Sequence, residues 1–212
     1  MKLITRKINK IFYENIAKPL RDKKDLILLL LETIKQFQVG EVSTTNHGKI
    51  TVVVDKMSRV FYQIENKIFS LVFPFGIEIT EEKYRIYDVE TDMEIDSKVI
   101  AVLISIISYY DNQEISVETL LDGYCESVLE EENEYINALW SILIRLFSME
   151  SGYIRYDYDK EHEDEEYHPL NHFDVNYSSN ITYKIGLKKM INLEEMINFL
   201  DTKQKCQYLE KI

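Results

Sequence analysis

Three short runs with strand-like apolar patterning lie close together: Ile50 to Val54, Val60 to Ile64 and Lys67 to Phe73. Polar breaks at Asn46-His47-Gly48, Asp55-Lys56 and Glu65-Asn66 bound them. Strands joined by so few residues have no room for a crossover, so they pair as an antiparallel meander. Such a sheet needs a second layer over its apolar face, and the flanking chain must supply it. His47 falls inside a turn signal and reads as a turn residue. Pro74 and Gly76 interrupt the pattern, and Gly76 to Thr80 and Lys83 to Val89 add further strands. Phe69, Phe73 and Phe75 read as core; a platform for stacking bases would need basic neighbours, and these are few.

The covering layer comes from helical periodicity on both sides. Ile4 to Lys18 reads as a helix with Ile8, Ile11, Phe12 and Ile16 near one face, ended by Pro19. Asp22 caps a second, Lys23 to Phe37, apolar on most sides. Asp96 or Ser97 caps Lys98 to Tyr110, whose apolar residues occupy nearly every position, so burial on all sides is expected. Ser116 opens a helix that ends near Glu130, and another runs from Asn133 to Met149 with Tyr135, Ile136, Leu139, Trp140 and Leu143 in its stripe. Arg145 is the one cation in that stripe; it is expected at an edge, with a carboxylate partner if buried. The run from Glu130 to Glu134 reads as an exposed helix junction. Asn192 caps a closing helix, Leu193 to Leu209. Strands segregate from helices, so the fold class is α+β: an antiparallel β meander flanked by helices, a buried central helix, and a small C-terminal β unit closed by a helix. Residues 1–95 read as a lobe of two helices plus the meander, and 96–212 as a helical lobe with the small β unit. No Pro/Gly/Ser-rich linker marks the boundary within 90–97, so a single domain stays open.

Polar chemistry concentrates between Ser151 and Leu187, which holds three of the four histidines. Gly152 to Asp159 reads as a strand with Ile154, Tyr156 and Tyr158 on one face and Tyr153, Arg155, Asp157 and Asp159 on the other. Lys160 to Tyr167 piles up like charge without an apolar period, as a solvated loop does. Pro169 forces His168 into an extended conformation. Leu170 to Tyr177 reads as a second strand with His172, Asp174 and Asn176 on its polar face, and Ile181 to Leu187 as a third. Imidazole plus carboxylate makes a workable set of ligands for a divalent metal such as Zn²⁺ or Mn²⁺: His168, His172 and Asp174, with Asp157 as fourth ligand or base. If the three strands pair, Asp157, Asp174 and Lys184 also match the carboxylates-plus-lysine arrangement of nuclease sites. The competing reading is structural: Asp174 pairs with Arg155 or a lysine on a polar sheet face.

HPLNHFDVNYSSNITYKIGL, preceded by IRYDYD and followed by a helix, resembles the C-terminal signature of an uncharacterised prokaryotic family. Its members carry a His-Pro-Leu-x-His strand, a basic β segment and a closing helix. The likeness covers about the last sixty residues. Where this chain has Asp174, the family pattern more often has a second histidine. Such proteins are similar to components of mobile-element and antiviral defence gene clusters, which implies membership of a multi-protein complex.

Composition narrows the remaining classes. Two distant cysteines, Cys125 and Cys206, form no disulfide framework, as expected in a reducing compartment. MKLITRKINK lacks the apolar stretch of a signal peptide. Val99 to Ile107, the longest strongly apolar run, is far short of the ~20 residues that span a bilayer. A cytoplasmic protein without membrane contact is expected. Net charge is −12. Residues 1–40 carry nine basic and four acidic side chains, a net of +5, and residues 111–168 carry three and seventeen, a net of −14. An acidic chain repels phosphate, so nucleic acid is expected to meet only the basic N-terminal helices. The charge asymmetry suits docking to a protein partner or to another copy. There is no Gly-rich phosphate loop, paired CxxC, HExxH or GxSxG. Two functions stand: a non-enzymatic subunit of a prokaryotic complex, and a metal-dependent hydrolase, a nuclease above all.

Overall fold

The computed structural model describes residues 2–18, 20, 22–39, 47–54, 57–80, 84–108, 116–127, 133–178, 181–205 and 207. In chain order the elements are β1 (Lys2–Lys7), α1 (Lys10–Ile16), α2 (Lys23–Gln38), β2 (Lys49–Val54), β3 (Arg59–Ile64), β4 (Lys67–Val72), β5 (Phe75–Ile79), β6 (Tyr84–Asp88), α3 (Ser97–Ser108), α4 (Val117–Ser127), α5 (Asn133–Ser148), β7 (Ile154–Tyr158), β8 (Asn171–Ser178), β9 (Ile181–Gly186) and α6 (Leu193–Leu200). The fold is α+β. The chain forms two compact units: Met1–Lys18, Glu41–Phe73 and Gly152–Ile212 in one, Pro19–Gly40 and Pro74–Ser151 in the other. Residues from both sides of position 95 enter each unit.

The first unit is built on a seven-stranded antiparallel sheet in the order β1-β2-β3-β4-β7-β8-β9. The expected meander is its centre. The three C-terminal strands, expected as a separate small β unit, instead extend this sheet: β4 pairs with β7, Ile68 opposite Tyr156 and Ser70 opposite Ile154. The reason is burial. Ile68, Ile154, Tyr156 and Phe173 form one apolar face with Val53 and Phe61, and Met196 and Ile197 of α6 cover it. Left as an edge, β4 would expose that row and its backbone groups. On the opposite face Phe12 of α1 stacks on Tyr62, Tyr62 on Phe69 (4.6 Å), and Phe69 tilts against Tyr153. This aromatic row leads straight to the polar end of the sheet.

Two helices of the first unit differ from expectation. Residues 4–7 are not helical; Lys2–Lys7 is a strand paired with β2, Ile4 opposite Val52. The helix begins only after Asn9, whose side chain accepts the Phe12 N–H at 2.8 Å. Ile8, Phe12 and Ile16 are buried at a spacing of four, whereas Ile11 is 75% exposed. The closing helix stops at Leu200, with Asp201 as its C-cap, well before Leu209. Its start is as expected: the Asn192 side chain accepts from Glu195 N–H, and the Glu195 carboxylate accepts from Asn192 N–H. Asn192→Ala should cost about 1 kcal/mol of stability, the usual worth of an N-cap, measured by urea unfolding.

The second unit holds α2, the β5–β6 hairpin and α3, α4 and α5. Asp22 caps α2 and Asp96 caps the segment opening α3. α3 is amphipathic rather than buried all round: Val99, Ile100, Leu103, Ile106 and Ile107 are buried, while Lys98, Ala101, Ser105 and Ser108 are exposed. Arg145 of α5 finds a fully buried carboxylate, Asp88 at the end of β6. The acidic junction expected between α4 and α5 lies mostly outside the described residues. No helix among the described residues is long and apolar enough to cross a membrane.

Candidate functional site

Strand register assembles the polar cluster. Arg155 on β7 lies opposite Asp174 on β8, which lies opposite Lys184 on β9. One step along, Asp157 lies opposite His172, and His172 opposite Gly186. Alternation therefore puts Arg155, Asp157, His172, Asp174 and Lys184 on one face. On the neighbouring strand, Lys67 lies opposite Asp157.

The side chains meet closely. Arg155 Nε donates to Asp157 Oδ2 at 2.6 Å, and its Nη2 donates to Asp174 Oδ2. Lys184 Nζ donates to Asp174 Oδ1 at 2.7 Å and lies 3.0 Å from His172 Nε2. His172 Nε2 is 3.7 Å from Asp174 Oδ1 and 3.8 Å from Asp157 Oδ2. His172 is wholly buried and Asp174 nearly so. Lys184 reaches in from the outermost strand and keeps 28% of its side chain exposed.

The His-Pro-Leu-Asn-His run sets the orientation of His172. Its Nδ1 lies 2.7 Å from the Pro169 carbonyl, which can only accept, so Nδ1 carries the proton and Nε2 presents a lone pair to the carboxylates and Lys184. Pro169 in turn packs where Gly186 has no side chain; a Cβ there would lie 3.0 Å from Pro169 Cγ. Backbone hydrogen bonds between His168 and Asp164 hold the preceding loop.

Burial and charge oppose one another across the cluster. Burial pulls the Arg155 guanidinium downward, but Asp157, Tyr153 and Asp174 outweigh it, so its pKa rises. Lys67 is lowered, chiefly by burial and then by Arg155, against the pull of Asp157 and Asp174. Burial pushes the Tyr153 hydroxyl up to about 12.

His168, expected as a metal ligand beside His172, belongs to a different group. Its Nε2 lies 3.2 Å from Asp159 Oδ2, and its ring meets His172 edge-on at 4.6 Å. His162 approaches the same Asp159 carboxylate at 3.1 Å. Among the described residues, the donors close enough to share an ion are Asp157, His172 and Asp174, all within 4.8 Å of one another. Asp157, expected as fourth ligand or base, is thus one of the three converging donors, and His168 is not. One imidazole nitrogen of fixed tautomer with two carboxylates fits Zn²⁺ or Mn²⁺ chemically. The structural alternative is present in the same atoms, since Asp174 pairs with both Arg155 and Lys184. The Pro169 carbonyl and Gly186 are not among the residues expected at the site; the short His-Pro-Leu-Asn-His spacing is the one signal in the sequence that points to them.

His47, read as a turn residue, also lines a cavity of about 500 Å³ with Tyr13, Lys49 and Glu65, its ring 5.8 Å from that of Tyr13. No protein-family model, curated protein or solved structure matches the chain.

Proposed function

We propose that the protein is a non-enzymatic subunit or accessory protein of a prokaryotic multi-protein complex of the antiviral-defence kind, acting through protein–protein contacts. The supporting observation is the outer strand β9. Among the described residues it pairs only with β8, and Tyr183 is 50% exposed on it, so the sheet ends in a strand able to accept another chain. The resemblance of residues 168–187 to the signature of an uncharacterised prokaryotic family, whose members are similar to components of mobile-element and antiviral defence gene clusters, supports the setting. Tagged protein purified from its own host should retain a stoichiometric partner, and Tyr183→Lys, which puts a charge on the open edge, should release it. Elution of the wild-type chain alone would sink this reading.

A second reading rests on the convergence of Asp157, His172 and Asp174: a metal-dependent hydrolase acting on phosphodiesters. A bound divalent ion would supply Lewis acidity and an activated water. Lys184, on the adjacent strand, supplies a cation for a phosphate oxygen. Its test is hydrolysis of a simple phosphodiester with Mn²⁺, abolished in His172→Gln.

A further inference from the structure

We infer that Asp157, His172 and Asp174 form a divalent-cation site whose place is held, in the ion-free protein, by the ammonium group of Lys184. The inference uses the site of the hydrolase reading but needs none of its chemistry.

Three observations carry it. First, the His172 Nε2 lone pair has no backbone role. Nδ1 is committed to Pro169, and the other nitrogen of this fully buried ring is aimed at two carboxylates. The carbonyl clamp satisfies the buried Nδ1–H and fixes the tautomer, the arrangement in which metal-ligating histidines are regularly held, and leaves Nε2 as the nitrogen facing the carboxylates. Second, a cation already sits at the convergence point. Lys184 Nζ is 3.0 Å from that lone pair and 2.7 Å from Asp174 Oδ1, so one positive centre touches an imidazole nitrogen and a carboxylate oxygen. Third, the occupant differs from its neighbours in how it is held. Arg155 forks to Oδ2 of each aspartate, which leaves Asp174 Oδ1 turned toward His172, while Asp157 Oδ2 faces both Arg155 and His172. Lys184 comes from the outermost strand on a flexible four-carbon stem that is partly in solvent, so it can swing out without disturbing the sheet.

Charge agrees with exchange rather than addition. Two aspartates face Arg155 and Lys184, and Lys67 stands opposite Asp157 on β4, so the cations already match or outnumber the carboxylates. An ion entering beside these cations would meet their repulsion, whereas an ion that replaces Lys184 changes the local charge by one. One nitrogen and two carboxylate donors select Mn²⁺ or Zn²⁺ over Ca²⁺, which favours all-oxygen sites.

The experiment compares wild type, Lys184→Met and Lys184→Met/His172→Gln, each stripped with chelator and titrated with Mn²⁺ and then Zn²⁺ by calorimetry and thermal unfolding. Lys184→Met should bind one ion per chain about tenfold or more tighter than wild type, because the competing charge-assisted contact is gone. Its unfolding temperature should fall below wild type in chelator and recover when the ion is added. The double variant should bind none. A plain salt bridge predicts a different pattern: the same fall in chelator, with no recovery. That pattern overturns the inference, as does binding in Lys184→Met no tighter than in wild type, or binding that persists without His172. If Lys184→Met does not fold in chelator, Lys184→Gln, which keeps a polar group beside Asp174, is read in the same way. Hydrolysis assayed on the same samples separates the two ideas: ion binding without turnover keeps the site and removes the hydrolase reading.

Discussion

Arg155→Ala should be among the most destabilising single substitutions in the first unit. The guanidinium spans two carboxylates, Asp157 at 2.6 Å and Asp174, and both belong to a face in which His172 is wholly buried. Removing it leaves two negative charges side by side with Lys184 and Lys67 as the remaining counter-charges. Breaking a buried pair from one side costs about 3–5 kcal/mol, because the remaining charge stays desolvated. Arg155 keeps 26% of its side chain exposed, so about 3 kcal/mol is expected. Urea unfolding followed by circular dichroism measures it. Arg155→Lys should fall between wild type and alanine, since an ammonium cannot fork to both carboxylates. Combining Arg155→Ala with Asp174→Asn should recover part of the loss, because the second change removes the stranded charge. A loss under about 1 kcal/mol, the scale of an exposed pair, would mean that solvent screens the cluster.

How much of this was legible beforehand follows from range. Alternation within Ile154–Tyr158 and Asn171–Ser178 separates apolar from polar faces by local pattern alone, so His172 and Asp174 on one face were readable. So were the caps Asp22 and Asn192, and Asp96 as one of two adjacent candidates, because a cap acts within four residues. Pairing of β4 with β7 was not. The whole Pro74–Ser151 portion of the second unit intervenes, and no local period records which strand a distant segment will join. β1 was lost for a related reason. Lys2–Lys7 is short, and Ile4 runs into Ile8, Phe12 and Ile16 at helical spacing, so a period of four conceals a period of two. The site was half visible: residue types and faces came from sequence. That Asp157 rather than His168 joins His172 depends on the turn back at Pro169, where His168 is drawn to Asp159. Exposure along α3 was likewise not legible, since Ala101 counts as apolar whether or not anything covers it.

Asp88 is the second position where one substitution should have a large effect, and it acts entirely within the second unit. The residue is fully buried. One carboxylate oxygen accepts from the Thr91 N–H at 2.9 Å and the Thr91 hydroxyl at 2.8 Å, closing the turn after β6, and the other meets the Arg145 guanidinium. Glu90, 3.7 Å from Arg145 and mostly exposed, is a weak second partner. Burial already lowers the Arg145 pKa, so a guanidinium without Asp88 would be held charged in a poor environment. Asp88→Ala removes the ion pair and three turn hydrogen bonds together, the third a longer one from the Glu90 N–H at 3.3 Å, an expected cost of about 4 kcal/mol. Asp88→Asn separates the two contributions: its amide oxygen keeps the Thr91 bonds while the charge is lost. It should retain about 1 kcal/mol or more of the difference. Trp140, the chain's one tryptophan, sits on the same helix as Arg145 with Tyr124 4.9 Å away, so its fluorescence reports the unfolding of α5 directly. Equal losses in the alanine and asparagine variants would assign the whole effect to the Arg145 charge. Equal stability of asparagine and wild type would assign it to the turn.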